Sequence, residues 1–209
     1  MQDILQNNDN DTLPIVECFY SLQGEGYNTG IAAFFIRLAG CDVGCSWCDS
    51  KNSWNIQQYP LLSIDEIVSS VIECGAKNVV ITGGEPLLHS LDNLCSELRK
   101  NDVKIFLETS GSSPFSGEFD WICLSPKHNK APLPEIFQMA SELKMVIVDA
   151  LQDFKWAEEC RTFVKKECKL YLQPEWNNRN MVLPDIIEYI KRSPQWILSY
   201  QSHKYINIP

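Results

Sequence analysis

Three cysteines stand close together in the segment from Ala39 to Ser50, which reads Ala-Gly-Cys-Asp-Val-Gly-Cys-Ser-Trp-Cys-Asp-Ser. They are Cys41, Cys45 and Cys48, and their spacing is Cys-x3-Cys-x2-Cys. Thiolates are soft ligands that zinc and iron–sulfur clusters select. A [4Fe–4S] cluster normally takes four cysteines, and the chain has no second close group of them. One iron would therefore lack a protein ligand, and such an open metal position is typical of a catalytic site.

Two other uses of these cysteines remain open on spacing alone. A structural zinc ion takes four Cys or His ligands in a tetrahedral arrangement. No further Cys or His lies within 25 residues after Cys48, which disfavours a compact zinc site. A disulfide between two of the three is also compatible with the spacing, although a reducing compartment would oppose it.

The spacing, with Trp47 directly before the third cysteine, resembles the radical S-adenosylmethionine (SAM) superfamily. In that superfamily three cysteines hold a [4Fe–4S] cluster, and the open iron chelates the methionine end of SAM. The resemblance therefore implies both the cluster and SAM as cofactors of this chain.

Composition limits where the protein works and what it binds. A chain of 209 residues fits one domain with a substantial core. Its net charge of −9 argues against gripping a nucleic-acid backbone. No apolar run approaches the roughly 18 residues needed to span a bilayer, and the polar stretch Met1 to Asp11 does not read as a signal peptide. With nine cysteines in no framework spacing, we expect a cytoplasmic protein with reduced thiols and no membrane partner.

A glycine-containing turn follows the first predicted strand, Pro14 to Tyr20. It reads Ser-Leu-Gln-Gly-Glu-Gly from Ser21 to Gly26, and two glycines allow the backbone to approach another group closely. An ordinary hairpin turn and a binding loop are both compatible with this composition.

The apolar run from Ala32 to Leu38 predicts a strand buried on both faces, and Arg37 interrupts it close to the cysteines. A guanidinium at the end of a buried strand needs a partner. A ligand carboxylate would suit it, and a structural ion pair is the open alternative.

Polar segments follow most of the other predicted strands. Strand 79–81 ends in Thr82-Gly83-Gly84-Glu85-Pro86, which resembles the "GGEP" motif of the radical SAM superfamily. The other such segments are Glu-Thr-Ser-Gly at 108–111, Ser-Pro-Lys at 125–127 and Gln-Pro-Glu-Trp at 173–176. Further strands are predicted at 145–148 and 196–200, and helices at 63–74 (with a Ser63 to Glu66 capping box), 91–100, 151–166 and 184–192.

Strands that alternate with helices imply parallel strands joined by right-handed crossovers. In a barrel of parallel strands, the end that carries these polar segments is the active-site end. We therefore predict an α/β fold, a partial, open (β/α) TIM-like barrel of the radical SAM type with mostly parallel strands. One crossover helix is reduced to a loop, because the connection before strand 121–124 is short and contains Pro114 and Gly117. Residues 1–12 read as a flexible leader and residues 13–209 as a single domain.

Features spread over nearly the whole chain narrow the resemblance to the 7-carboxy-7-deazaguanine synthase family. They are the turn at 22–26, Arg37 four residues before the first cysteine, the polar strand ends at 108–111, 125–127 and 173–176, and the ending His-Lys-x-x-x-x-Pro. The short connection around residues 112–119 also agrees with the reduced barrel of that family.

This resemblance implies a radical SAM carbon–nitrogen lyase. The family converts 6-carboxy-5,6,7,8-tetrahydropterin into 7-carboxy-7-deazaguanine with loss of ammonia, on the route to queuosine and related deazapurines. The reduced cluster cleaves SAM to a 5′-deoxyadenosyl radical, which takes a hydrogen from C6 of the pterin and later returns it, so SAM acts catalytically. Mg²⁺ helps by holding substrate oxygens as a Lewis acid.

The functional residues of the family carry over to matching positions here. Cys41, Cys45 and Cys48 would hold the cluster. The residues implied to line SAM are Trp47, Cys48, Asp49, Gly84, Glu85, Ser125, Pro126, Lys127, Gln173, Pro174, Glu175 and Trp176. Those implied to contact the pterin are Leu22, Gln23, Gly24, Glu25, Arg37, Thr82 and the C-terminal carboxylate of Pro209, with Arg37 pairing with the pterin carboxylate.

One position departs from the family. Ser50 stands where the family usually has a Thr whose hydroxyl binds Mg²⁺. Serine keeps the hard oxygen that Mg²⁺ requires but lacks the methyl group that restricts the rotamer. We expect a magnesium site that survives with less rigidity.

The remaining cysteines and histidines have no comparable pattern. Cys18, Cys74, Cys95, Cys123, Cys160 and Cys168 are interpreted as core or surface thiols. His89 and His128 are expected to be structural, and His203 is a weaker site candidate because it lies near the C-terminus.

Two other functions stay open. One is a radical SAM activase that makes a glycyl radical on a partner protein, and the other is a non-enzymatic zinc-binding module. The activase function gives no reason for the turn at 22–26, Arg37 and the terminal proline. Metal analysis, iron with sulfide against zinc, separates the zinc-binding module from both enzymes. The family resemblance also implies a homodimer and an external electron donor, a flavodoxin or ferredoxin.

Overall fold

The sheet that organises the protein is seen in a computed structural model, which describes residues 11–209. Within these residues it has nine strands in the order β3-β1-β2-β4-β5-β6-β7-β8-β9. The strands are β1 (Thr12–Leu22), β2 (Ala32–Leu38), β3 (Leu61–Ser63), β4 (Asn78–Gly83), β5 (Lys104–Thr109), β6 (Trp121–Leu124), β7 (Glu142–Ile147), β8 (Lys169–Pro174) and β9 (Trp196–Leu198).

Most of the sheet is parallel, as the alternation of strands and helices predicts. Each neighbouring pair from β2 through β4 to β9 runs parallel, and only β1 runs antiparallel to its neighbours β2 and β3. Because β3 and β9 form the two edges of the order, the barrel is open. This architecture confirms the predicted partial, open (β/α) barrel.

The helices that cover this sheet are α1 (Ile64–Glu73), α2 (Asp92–Lys100), α3 (Pro134–Met139), α4 (Ala150–Arg161), α5 (Arg179–Arg192) and α6 (Ser202–Ile206). The predicted capping box is present at the start of α1, where the Glu66 backbone N–H donates to Ser63 Oγ at 3.2 Å and the Ser63 N–H donates to Glu66 Oε2 at 2.8 Å. The stretch between β5 and β6, all of it described, contains no helix, so the missing crossover helix was predicted correctly.

Several boundaries differ from the prediction. Strand β1 begins at Thr12, which pairs with Ser63 in β3, so the strand starts inside the predicted leader. The rest of that leader, residues 1–10, lies outside the described residues. Helix α4 ends at Arg161 rather than near 166, and α5 begins at Arg179 and contains Pro184 in its interior. The short elements β3, α3 and α6 were not predicted.

The two faces of the sheet carry different side chains, because successive residues of a strand point to opposite faces. On β2, Phe34, Ile36 and Leu38 belong to the large core beneath the helices, whereas Ala33 and Phe35 lie in a small cluster on the concave face. The same alternation runs along β4, β5 and β7. The concave face is thereby left for polar groups near the strand ends.

None of the helices in the described range 11–209 is long and apolar enough to cross a membrane.

Candidate active site

A single pocket gathers most of the residues that the sequence singled out. It lies against the concave face and is lined at its apolar wall by Phe19, Phe35 and Val80. The predicted site residues that line it are Leu22, Gln23, Gly24, Glu25, Arg37, Cys41, Cys45, Trp47, Cys48, Asp49, Ser50, Thr82, Gly84, Ser125, Lys127, Gln173, Pro174, Glu175, Trp176 and Pro209. Glu85 and Pro126 are not among the lining residues.

The three cysteines of the loop after β2 all face this pocket. The backbone turns sharply around them, with positive φ angles at Gly40 and Gly44, and the Cys48 N–H donates to the Cys45 carbonyl at 3.1 Å. All three thiols are free, which argues against the disulfide alternative.

The arrangement of the thiols also bears on the choice of metal. In the described part of the chain, no group of three His, Cys, Asp or Glu side chains converges so as to hold a metal ion. A zinc ion would need its ligands to converge on one point. A [4Fe–4S] cluster instead takes one cysteine per iron. Three cysteines that line one pocket could supply three of its ligands.

Two sides of the protein hold the cysteine loop in place. From the loop after β6, Asn129 donates to the Gly44 carbonyl at 3.0 Å, and Lys130 pairs with Asp42 at 2.6 Å. From α6, Lys204 pairs with Asp49 at 2.6 Å. These contacts come from distant parts of the chain, and they fix a segment that contains little regular structure.

The charge of Lys127 lies next to the cysteines. Its Nζ donates to the Ser125 hydroxyl and carbonyl at 2.6 and 2.7 Å and lies 5.5 Å from the centroid of the Trp47 ring. Burial raises the pKa of the Cys45 thiol, and the positive charge of Lys127 opposes this rise. Burial likewise lowers the pKa of Lys127, against the charge of Cys45.

The two glycines at the end of β4, Gly83 and Gly84, allow this strand end to lie against the cysteine loop. The Gly84 N–H donates to the Leu38 carbonyl at 3.0 Å, and the Glu85 N–H donates to the Gly40 carbonyl at 2.8 Å. A Cβ atom on Gly83 would collide with the Leu38 backbone, and one on Gly84 would collide with the Gly40 carbonyl. The glycine pair therefore has a packing role here, in addition to any contact with SAM.

Glu85 points into the protein rather than into the pocket. The residue is 1% exposed, and its carboxylate accepts hydrogen bonds from Thr109 Oγ1 at 2.5 Å, from the Ser110 N–H at 2.8 Å and from the Ser110 hydroxyl. This carboxylate joins the ends of β4 and β5. A contact of Glu85 or of the buried Pro126 with SAM stays a prediction.

Arg37 makes the structural ion pair that the sequence left open. Its Nε contacts Glu17 Oε1 at 2.7 Å, and a second guanidinium nitrogen lies 3.5 Å from Ser50 Oγ. Arg37 also lines the pocket. A guanidinium has five N–H donors, so this ion pair leaves donors for a ligand carboxylate.

The C-terminal segment closes one side of the pocket over the glycine turn. The Ser202 N–H donates to the Gly24 carbonyl at 2.9 Å, and Ser21 Oγ donates to an oxygen of the C-terminal carboxylate of Pro209 at 3.2 Å. A Cβ atom on Gly24 would collide with the His203 ring, so only glycine permits this contact. His203 lines the pocket as well, and burial lowers its pKa.

Sequence reasoning missed Lys144 and Gln201, and it placed Glu108 in a polar strand end without giving it a role in the site. Lys144 forms ion pairs with Glu25 at 2.6 Å and with Glu108 at 2.8 Å, and Gln201 donates to the other oxygen of Glu25 at 2.7 Å. The signal that could have found Lys144 is the alternation of Glu-Leu-Lys-Met-Val-Ile along β7, in which the charged residues share one face.

The charges at the floor of the pocket stabilise one another. Burial alone raises the pKa of Glu25, but the charge of Lys144 and hydrogen bonds from Lys144, Gln201 and Gln173 outweigh it and lower that pKa to about 2. Burial alone lowers the pKa of Lys144, and the surrounding acidic groups, among them Cys123, Glu108 and Glu25, raise it well above its usual value. The pair is therefore fully ionised at neutral pH.

The other histidines and cysteines have structural surroundings. His89 Nε2 lies 2.7 Å from the Ala39 carbonyl, and His128 lies 3.0 Å from Asp153 and stacks on Trp156. Cys95, Cys123, Cys160 and Cys168 are buried, Cys18 is half-buried and Cys74 is exposed. These positions agree with the expected structural roles.

Comparison with known proteins places this site in a family. The Radical SAM superfamily matches residues 35–123. The 7-carboxy-7-deazaguanine synthase of Flavobacterium psychrophilum is 46% identical over 199 residues, which are 95% of this chain and 94% of that protein. The protein of the same name from Synechocystis sp. is 47% identical over 195 residues, 93% of each chain. The crystal structure of QueE from Escherichia coli superposes with a TM-score of 0.82 at 32% identity, covering 92% of this chain and 95% of that one. The chain belongs to the 7-carboxy-7-deazaguanine synthase family of radical SAM enzymes.

Proposed function

We propose that this enzyme converts 6-carboxy-5,6,7,8-tetrahydropterin into 7-carboxy-7-deazaguanine and ammonia, in the biosynthesis of queuosine or a related 7-deazapurine. The observation that carries the proposal is a single pocket that collects the cysteine loop, the glycine turn and the C-terminus. Relatives that carry the name of this activity match almost the whole chain, which supports the same assignment.

The residues around the cysteines suit a [4Fe–4S] cluster. Cys41, Cys45 and Cys48 would each bind one iron, and they face a cavity that also receives Trp47 and Lys127. When bound, the cluster and SAM supply one-electron chemistry that removes a hydrogen atom from the substrate. The task of the chain itself is to hold the cysteine loop still, which the Lys130–Asp42 and Lys204–Asp49 ion pairs do from two sides.

SAM would lie along the strand ends beside the cysteines. The positions that would contact it are Trp47 to Asp49, Gly84, Ser125, Lys127 and 173–176. Trp176 lies at the far end of this row, where Arg179 stacks on its ring at 4.0 Å and Lys204 lies 5.1 Å from the ring centroid. The two cations hold the indole ring and so shape the wall that SAM would meet.

The pterin would lie between the glycine turn and the apolar wall. Arg37 is suited to the pterin carboxylate because it keeps donors beyond its bond to Glu17. Thr82 follows Val80 on the same concave face of β4, so its hydroxyl stands at the edge of this space. Leu22 to Gly24 and the Pro209 carboxylate close the opposite side.

A magnesium ion would be held by Ser50 together with substrate and water oxygens. Mg²⁺ keeps several waters and binds through few protein ligands, so one hydroxyl in the pocket suffices as the protein contribution. Ser50 Oγ lies 3.4 Å from Asp49 Oδ1 and 3.5 Å from a guanidinium nitrogen of Arg37. The ion would have to compete with that guanidinium, so we expect a weak site.

The broader setting follows from the same family. We propose a cytoplasmic homodimer that receives electrons from a flavodoxin or ferredoxin. Its free thiols suit a reducing compartment.

The test of the proposed function is an anaerobic assay of reconstituted protein with SAM, a reductant, Mg²⁺ and 6-carboxy-5,6,7,8-tetrahydropterin. We expect 7-carboxy-7-deazaguanine, measured by its absorbance, and ammonia to form in equal amounts, at a rate that rises with the Mg²⁺ concentration. Protein that carries a reduced cluster but makes no deazaguanine would contradict the proposal. SAM cleavage without this product would instead favour the activase function.

A further inference from the structure

A closed ring of hydrogen bonds forms the floor of the pocket. The Glu25 N–H donates to Gln23 Oε1 at 3.1 Å, and Gln23 Nε2 donates to Glu108 Oε1, also at 3.1 Å. Lys144 Nζ completes the ring by donating to Glu108 Oε2 at 2.8 Å and to Glu25 Oε2 at 2.6 Å. Every link is a directed bond, so the ring fixes the orientation of both carboxylates and of the Gln23 amide.

Exposure is distributed unequally within this ring. The Lys144 side chain is 5% exposed, whereas the side chains of Glu25 and Glu108 are 19% and 21% exposed and line the pocket. The ammonium is thus covered by its partners, and the carboxylates are the groups that a ligand meets. An ionised carboxylate offers about four acceptor sites, so the ring bonds leave acceptor capacity on both.

We propose that Lys144 is a positioning residue that keeps Glu25 and Glu108 side by side as hydrogen-bond acceptors, and that these carboxylates read the N–H and amino donors of the substrate ring. This inference rests on the proposed function, because the pterin supplies such donors at its 2-amino group and ring nitrogens. The inference specifies that the protein recognises the 2-amino and N–H edge of the pterin, and that Lys144 makes this recognition possible.

The physical reason for the lysine is the repulsion between two acids in one pocket. Two carboxylates that share a site do not both ionise at neutral pH unless a positive charge lies between them. If one took up a proton, it would change from an acceptor to a donor. A donor would then lie against the donor edge of the substrate, and the hydrogen bond would be lost. Lys144 prevents this change.

Other titratable groups surround the ring and enter any pH dependence. They are Cys123 on β6, Glu142 on β7, Lys127 after β6, Asp49 in the cysteine loop and His203 on α6. Burial raises the pKa of Glu142 and of Cys123. Gln201, which donates to Glu25 Oε1 at 2.7 Å, does not titrate.

Two stable ligands isolate the recognised edge. They are 6-carboxypterin, which carries the 2-amino group, and 6-carboxylumazine, which has an oxo group in its place. Their affinities for the reconstituted enzyme with SAM are measured by titration calorimetry under anaerobic conditions. We expect the wild type to bind 6-carboxypterin roughly 10- to 100-fold more tightly than 6-carboxylumazine, since the lumazine lacks the amino group that would donate hydrogen bonds to the carboxylates.

The ratio of the two affinities tests the role of Lys144 separately from its effect on folding. In Lys144→Met we expect the ratio to fall below about threefold and to vary between pH 6 and 8, whereas the ratio of the wild type stays constant over that range. Lys191→Met is the matched control, because Lys191 pairs with Glu188 at 2.6 Å on the surface. If Lys144→Met does not fold, Lys144→Gln is measured in its place, because it keeps hydrogen-bond donors but removes the charge, and the same fall in the ratio is expected.

An unchanged ratio in a folded Lys144 variant, or a wild type that binds both ligands equally, would overturn the inference. Failure of the proposed function would look different. The wild type would then fail to turn over the tetrahydropterin while still preferring 6-carboxypterin. Turnover by a wild type with no such preference would overturn the inference alone.

Discussion

The two faces of the same sheet do different work, although their residues alternate along the same strands. On the helix side, Ile36, Ile81 and Leu107 are fully buried in one apolar core. On the concave side, their neighbours Arg37, Thr82 and Glu108 line the pocket. The comparison teaches that stability and chemistry are separated by one residue of register, so substitutions one position apart should have effects of different kinds.

The largest effect is expected where the concave side meets the cysteine loop. Cys45→Ser should lower the rate of product formation at least about 10³-fold, because the cluster would lose one of its protein ligands. In Cys45→Ser the iron and sulfide content of the protein should fall together with the rate of product formation. Cys74→Ser is the matched control, since that thiol is exposed and far in sequence from the loop, and it should retain both. Full activity in Cys45→Ser would show that Cys45 is not needed to hold the cluster.

Adjacent residues on β4 sharpen the comparison of the faces. Ile81→Ala should lower the free energy of unfolding by about 2–5 kcal/mol, because it leaves a cavity in the core under the helices. Thr82→Val keeps the volume and should change that free energy by less than about 1 kcal/mol while it lowers kcat/KM about tenfold. Denaturant titration and steady-state kinetics on both variants provide the measurement. Equal stability losses in the two variants would contradict the separation of roles.

The ion pair between Glu25 and Lys144 at the floor of the pocket should make the free energy of unfolding depend on pH in the acid range. The pKa of Glu25 is lowered to about 2, below the ordinary value of a glutamate in the unfolded chain. Its contribution to stability is therefore fully present above about pH 4.5 and is lost as pH falls toward 2. The difference in unfolding free energy between wild type and Glu25→Gln should shrink over this window in cluster-free protein. A difference that stays constant from pH 6 to pH 2 would show that Glu25 is not held as a carboxylate.

The smallest effect is expected at Ser50, where we propose that Mg²⁺ binds. Ser50→Thr should lower the Mg²⁺ concentration for half-maximal rate by about two- to threefold, since the added methyl group restricts the hydroxyl rotamer. Ser50→Ala should raise that concentration, because the hydroxyl ligand is gone. The measurement is a Mg²⁺ titration of the rate of product formation. A wild type that shows no response to Mg²⁺ would exclude the role proposed for Ser50.

Local signals made much of the fold predictable. Strand β6 was predicted with its observed ends, Trp121 and Leu124, and the start of α1 follows from the capping box at Ser63. The short connection with Pro114 and Gly117 indicated the missing helix. Each of these features depends on neighbouring residues only, which explains why the sequence sufficed.

The pocket floor was not predictable in the same way. Lys144 and Glu25 are separated by 119 residues and Lys144 and Glu108 by 36, and no local pattern joins them. Glu85 is predicted to contact SAM because its motif resembles that of a family, and the motif did not indicate that its carboxylate also joins β4 to β5 through Thr109 and Ser110. A motif identifies which residues matter, but the direction of each side chain depends on packing between distant strands.

The assignment of the pterin as substrate is decided by the ratio of 7-carboxy-7-deazaguanine to 5′-deoxyadenosine formed in single reactions of the reconstituted enzyme. We expect many product molecules for each 5′-deoxyadenosine, because SAM acts catalytically in the proposed ring contraction. A ratio near zero, with SAM consumed and no deazaguanine formed, would contradict the assignment of the pterin as the substrate of this pocket.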